Sequence, residues 1–148
     1  MEYNFRCTCP ITSALDLVGD RWILVIIKQM LLESKYTFKD LKESDEGIAT
    51  NILTAKLKLM EGYELIRKEK LPHNKKTNIY SLTERGLSLT PIIIELTLWS
   101  DAHLRGVNTN LKIGNEVELI NQDREGVIAA IKTQYQAKMK RILNNSET

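Results

Sequence analysis

Few residues in this chain have the types and spacing to do chemistry, and they form three groups. The first is Cys7 and Cys9, a C-x-C pair followed directly by Pro10. Two thiols are too few for a tetrahedral zinc centre, which takes four N or S ligands, and His73 and His103 are remote in sequence. No metal and no cofactor are expected. Because Pro10 suits the first turn of a helix, Cys9 stands at a helix N-terminus, where free N–H groups and the macrodipole favour a thiolate. Cys9 is therefore a candidate reactive thiol, with a plain buried thiol as the alternative. The two histidines have no serine, cysteine or paired carboxylate near them in sequence, and no glycine-rich phosphate loop occurs, so an enzyme is not expected.

The second group lies in "EGIATNILTAKLKLMEGYELI". At 100° per residue Leu53, Leu57 and Met60 form one buried stripe, and Asn51, Thr54, Ala55 and Lys58 lie opposite, with Thr50 at the start of the helix. This outer face is small, polar and basic, with no carboxylate before Glu61. A duplex groove tolerates such a face: asparagine pairs bidentately with adenine and lysine donates to guanine. An ordinary solvated helix face is the alternative. The third group is the basic stretch "PHNKK", in which His73, Asn74, Lys75 and Lys76 fall between two strand candidates, with Lys39 on a short preceding helix. These suit phosphate contact, or simply solubility.

The elements that must position these groups follow from periodicity and caps. Helices are expected over "PITSALDLV", over "RWILVIIKQMLLES" as the core helix, and over "FKDLKES" capped by Thr37. The helix of the second group should begin at Ala49 or Thr50 and end at Gly62. Strands are expected around Leu65 to Lys70 and Asn78 to Leu82, joined by a loop from Leu71 to Thr77. Thr83 reads as the cap of a long helix in which Leu89, Ile92, Ile93, Leu96, Trp99 and His103 keep helical spacing, started or kinked by Pro91. Trp22 and Trp99 fall at core spacing. "VNTNLKIGNEVELINQD" is turn-rich and weakly patterned. After it, Ile128, Ile131, Tyr135 and Ile142 mark an amphipathic helix that either folds back or packs on a second copy.

With 148 residues, 43% hydrophobic and 27% charged, the chain suits one ordinary soluble domain with a flanking element. Its longest apolar run is "WILVII", far short of the ~20 residues a membrane helix needs, and its N-terminus has no apolar h-region. A cytoplasmic protein is expected, with no membrane partner. The net charge of +2 is small, but ten Lys/Arg stand against seven Asp/Glu between Ser34 and Tyr80.

The order of helices, polar-faced helix, ribbon and long helix outlines a winged helix-turn-helix, mainly α with a two-stranded β wing (α+β). The stretches "CPITSALDLVGDRW", "TFKDLKES", "GIATNILTAKLKLMEGYELI" and "YSLTERGLSLTPIIIELTLWSDAH" resemble the HxlR-type transcriptional regulators, dimeric winged-helix proteins of MarR-like architecture. The resemblance covers Cys9 to His103, about two thirds of the chain. It implies that Ala49 to Glu61 is the recognition helix, that Leu65 to Leu82 is the wing, and that the helix through Trp99 joins a dimer interface. It also implies that a cysteine at the Cys9 position can sense electrophiles or oxidants.

The expected function is a homodimeric, sequence-specific regulator of double-stranded DNA that reads a pseudo-palindromic site. An oxidant or small-molecule effector is compatible with it. Residues 1–106 would form the DNA-binding domain with its arm and dimer helix, and residues 107–148 an extension that departs from the family pattern. Dimer contacts are expected from Ile93, Leu96, Trp99, Ile128, Ile131, Tyr135 and Ile142. The rival reading is a helical protein-interaction module that uses the Ile128 to Ile142 stripe and binds no specific DNA sequence.

Overall fold

The computed structural model describes residues 1–144, so the last four residues of the expected extension lie outside it. The chain begins with an arm leading into α1 (Pro10–Val18), whose N-cap is Cys9, with proline in the first turn as expected. Helix α2 (Ile23–Leu32) starts where Asp20 accepts the Ile23 N–H at 2.9 Å. Its Ile23, Ile26, Ile27 and Met30, at i, i+3, i+4 and i+7, are essentially inaccessible to solvent and form the centre of the core. Helix α3 (Phe38–Lys42) opens with a capping box, the Thr37 hydroxyl accepting the Asp40 N–H and the Asp40 carboxylate accepting the Thr37 N–H.

Helix α4 (Thr50–Gly62) buries Leu53, Leu57 and Met60 against that core. Its stop lies two residues later than a glycine at C′ predicts. Glu64, not Gly62, takes the left-handed conformation (φ 59°), while the Leu65 N–H reaches back to the Met60 carbonyl and the Glu64 N–H to that of Glu61. Those two bonds close a Schellman motif with Glu64 at C′.

Strands β1 (Ile66–Leu71) and β2 (Asn74–Leu82) form an antiparallel ribbon. The expected loop from Leu71 to Thr77 is not there. Only Pro72 and His73 form the turn, and the irregularity has moved into β2: Leu71 pairs with Asn74 but Lys70 pairs with Asn78. Lys75, Lys76 and Thr77 are thus displaced as a bulge. The Asn74 side chain builds it, its amide donating to the Thr77 hydroxyl at 3.0 Å and its carbonyl oxygen accepting the Lys76 N–H at 3.2 Å.

The expected long helix is two: α5 (Glu84–Leu87), capped by Thr83, and α6 (Thr90–His103). Pro91 has no N–H to give the Leu87 carbonyl, and the Thr90 hydroxyl donates to that carbonyl instead, at 2.6 Å. Within the weakly patterned tail lies a helix that periodicity does not reveal, α7 (Glu116–Gln122), followed by α8 (Arg124–Asn144).

Helix α8 folds back against α2, α6 and α7. Tyr135 and Met139 are buried in the common core, Ile131 and Ile142 pack against it, and Ile128 is half-buried. Of the two arrangements open to this stripe, folding back or packing on a second copy, the protomer shows the first. Ile93 is buried in the same way on α6, whereas Trp99, expected at core spacing, is 56% exposed. No helix among the described residues is long and apolar enough to cross a membrane.

Candidate nucleic-acid interface

Helix α4 has two unlike faces because its core face takes every large aliphatic residue it can bury. The outer face carries Thr50, Asn51, Thr54, Ala55 and Lys58, all exposed. Thr54 donates its hydroxyl proton to the Thr50 carbonyl at 2.9 Å, which leaves its oxygen as an acceptor. Lys56, one position round, is tied to Asp20 at 2.5 Å and braces α4 on the α1–α2 corner. Among the described residues, Lys58 forms no ion pair, nor do Lys39, Lys75 or Lys76.

His73, in the turn, and Asn74, Lys75 and Lys76, in β2, are all exposed at the tip of the ribbon. The side chain of Asn74 is occupied in shaping the bulge that carries Lys75 and Lys76. Residue types alone pass over Arg67, Lys68 and Lys70 on β1. They carry the positive charge down the ribbon, Arg67 and Lys68 exposed and Lys70 exposed beyond the one intervening acid, Glu69. The run "RKEK" is the signal that could find them.

Cys9 and Cys7 are both free and exposed, so Cys9 is not a buried thiol. The neutral thiol makes no capping hydrogen bond. The Thr12 N–H foremost, then its hydroxyl and the Ile11 N–H, favour the thiolate and hold Cys9 below the ordinary thiol value. The arm bearing this sulfur is fastened at both ends. Arg6 pairs with Asp16 of α1 at 2.5 Å. Tyr3 stacks on Tyr63, just past the end of α4, with 5.7 Å between ring centroids, and Arg85 donates both to the Tyr3 hydroxyl (2.7 Å) and to the Tyr63 carbonyl (3.0 Å). Met1 occupies the space that a Cβ at Gly62 would need.

His73 lies in the ribbon turn and His103 at the end of α6, and among the described residues no three His, Cys, Asp or Glu side chains come close enough to hold a metal. Away from α4, the molecule presents apolar surface at Ile92, Leu96 and Trp99 of α6 and at Ile11 and Leu15 of α1. The α6 residues line a groove of about 680 Å³ that α7 closes on its other side through Val117 and Asn121.

Comparison with known proteins agrees with this geometry. The family model described as HxlR-like helix-turn-helix matches residues 17–108, and so stops before α7. The HTH-type transcriptional regulator YodB of Bacillus subtilis (strain 168) is 34% identical over 94 residues, which is 63% of this chain and 83% of the relative. The solved reduced form of YodB superposes with a TM-score of 0.54 at 32% identity, covering 66% of this chain and 95% of that one. The redox regulator HypR in its oxidised form gives 0.56 at 26% identity, covering 64% and 97%. A winged-helix fold and a family model matching well over half its length together place the protein: the chain belongs to the HxlR-like helix-turn-helix family of DNA-binding transcriptional regulators.

Proposed function

We propose that two copies of this chain bind a pseudo-palindromic site in the cytoplasm, each inserting α4 into a major groove and laying its ribbon on the flanking phosphates. Half-site centres would then be about 34–36 Å apart. The observation that carries this is the outer face of α4, where Asn51, Thr54, Ala55 and Lys58 are all exposed and no carboxylate intervenes. Asn51 and Lys58 offer base-edge donors, Thr54 a methyl and an acceptor, while Lys39, Lys75 and Lys76, joined by Arg67, Lys68 and Lys70, neutralise phosphate.

The dimer contact falls on the apolar surface the protomer leaves uncovered, Ile92, Leu96 and Trp99 of α6 with Ile11 and Leu15 of α1. Ile93, Ile128, Ile131, Tyr135 and Ile142 serve instead within each protomer. The same fact removes the main support for the rival interaction module, whose binding stripe is the one turned inward.

Regulation enters at Cys9. The likeness to YodB and to the redox regulator HypR supports an oxidant or electrophile as effector, as do the exposure and lowered pKa of the thiol. The arm gives the signal a route, since a group added at Cys9 must be accommodated by a segment stacked on Tyr63 at the end of the recognition helix. The change would shift the tilt or spacing of the two α4 helices.

A mobility-shift titration on the DNA upstream of its own gene, at two salt concentrations, tests the reading. Sequence preference with a steep loss of affinity at higher salt is expected. Binding that lacks both would favour the interaction module.

A further inference from the structure

Strand β2 has one edge paired with β1, and its other edge is capped twice at its base. The N–H groups of Tyr80 and Leu82, two residues apart and so on the same edge, are both taken: Tyr80 donates to the Tyr36 carbonyl at 2.7 Å, and Leu82 donates to the Tyr135 hydroxyl oxygen at 2.7 Å. The first acceptor precedes α3, inside the family-matched region. The second belongs to α8, outside it.

Ile79, Tyr80, Ser81 and Leu82 are buried, whereas Asn74, Lys75 and Lys76 are exposed. Among the described residues, no hydrogen bond reaches Asn74 to Asn78 from outside the ribbon. The ribbon is therefore a lever clamped at one end. Strand β1 runs from Ile66, opposite Leu82, to Leu71, opposite Asn74, which is about 17 Å at ~3.3 Å per residue, so a tilt of about 10° at the base moves the tip by about 3 Å. That is about the length of the hydrogen bond a lysine makes to a phosphate oxygen, roughly 2.8 Å, and enough to break it.

We propose that Tyr135 is a positioning residue for the wing: by holding the Leu82 amide, helix α8 sets the angle at which Lys75 and Lys76 meet the phosphates. The inference rests on the ribbon being a DNA-contacting wing. It gives the segment beyond the family-matched region a task in DNA binding that needs no contact between that segment and DNA. A phenylalanine at this position would fill nearly the same volume and pack as well, but it would leave a buried N–H without an acceptor, so the strand end must move to find one. Burial, outweighing the Leu82 N–H, pushes the Tyr135 phenol up to about 12, so it remains a neutral hydroxyl at physiological pH.

The test compares the full chain, Tyr135→Phe, the pair Lys75→Ala/Lys76→Ala, and the triple variant on a mixed-sequence duplex of about 30 base pairs, between about 50 and 200 mM salt. Tyr135→Phe should flatten the salt dependence of affinity as the lysine pair does, by about 0.9 in logarithmic slope for each phosphate contact given up. The triple variant should flatten it no further than the pair alone. A merely structural role would lower the thermal midpoint but leave the slope unchanged. If Tyr135→Phe keeps the wild-type slope while the pair flattens it, the clamp is wrong and the wing reading stands. If the pair leaves the slope unchanged, the wing reading fails and the clamp fails with it. Hydrogen exchange probes the clamp without DNA: the Leu82 amide should lose protection in Tyr135→Phe relative to Leu57, and equal protection in the two proteins would overturn the proposal.

Discussion

Helices α4 and α8 bury the same kind of stripe in the same core, yet they differ in what lies beside them and, in part, in what faces outward. In α4 the inner residues Leu53, Leu57 and Met60 are matched by an outer face of small polar and basic residues. In α8 the inner residues Tyr135 and Met139 are matched by long side chains, Gln134, Gln136, Lys140 and Arg141, set among the small residues Ala129, Ala130, Thr133 and Ala137, with no carboxylate after Glu125. An apolar stripe says that a helix packs; the composition opposite separates the two helices only in part, and it is the place of α4 against the ribbon and inside the family-matched region that marks it out. In α8 the functional element sits inside the stripe, as a tyrosine whose hydroxyl reaches a strand.

If both stripes belong to one core, the largest effects should come from truncating them. Leu53→Ala should cost about 2–5 kcal/mol and Tyr135→Ala about 3–5 kcal/mol in urea unfolding, the latter by analogy with other buried aromatics. A cost for Tyr135→Ala under about 0.5 kcal/mol, the range of an ordinary surface change, would mean that α8 is not part of the core.

Changes on the outer faces should separate the two helices more sharply. Asn51→Ala should leave the unfolding midpoint nearly unchanged while weakening binding to the preferred site by about 1–3 kcal/mol. Gln134→Ala on α8 should change neither. Equal effects on DNA affinity would erase the distinction drawn between these faces.

Smaller effects concern the groups that titrate. Alkylation of Cys9 should follow a pH profile with its midpoint below the ordinary thiol value of about 8.5, and Thr12→Ala, which removes one of the groups stabilising the thiolate, should move the midpoint upward. Glu46 provides the smallest effect. Burial acts to raise its pKa, but the hydrogen bonds from Lys28 and Gln29 outweigh it and the net shift is downward. Its contribution is thus present above its unfolded value of about 4.3 and lost as pH falls through the lower folded value. Because both partners are partly solvated, Glu46→Gln should remove no more than about 1 kcal/mol at neutral pH and reduce the acid sensitivity of the unfolding midpoint.

Much of this organisation is legible in the sequence because it is local. Pro10, Thr37 and Thr83 mark their helix starts, and a spacing of three and four places Leu53, Leu57 and Met60 on one side. What escapes sequence reading depends on distant partners. The bulge at Lys75 needs the Asn74 side chain to fold onto Thr77, which no turn signature announces. Helix α6 is apolar nearly all round, so spacing cannot decide that Ile93 faces inward and Trp99 outward. Helix α7, at seven residues, is too short for periodicity to register. The stripe of α8 is visible in the sequence, but not the surface that covers it. The outer face of α4 is identifiable from residue type, and the structure exposes each of its members; their roles in binding are still a proposal.

Hydroxyl-radical footprinting on the upstream DNA bears immediately on groove insertion by paired α4 helices, because it reports where the protein lies along the duplex. Two protected patches are expected on one face of the DNA, centred about 34–36 Å apart, with flanking backbone protection that disappears in Lys75→Ala/Lys76→Ala while the central patches remain. A single continuous footprint, or flanks that the lysine substitutions leave protected, would contradict it.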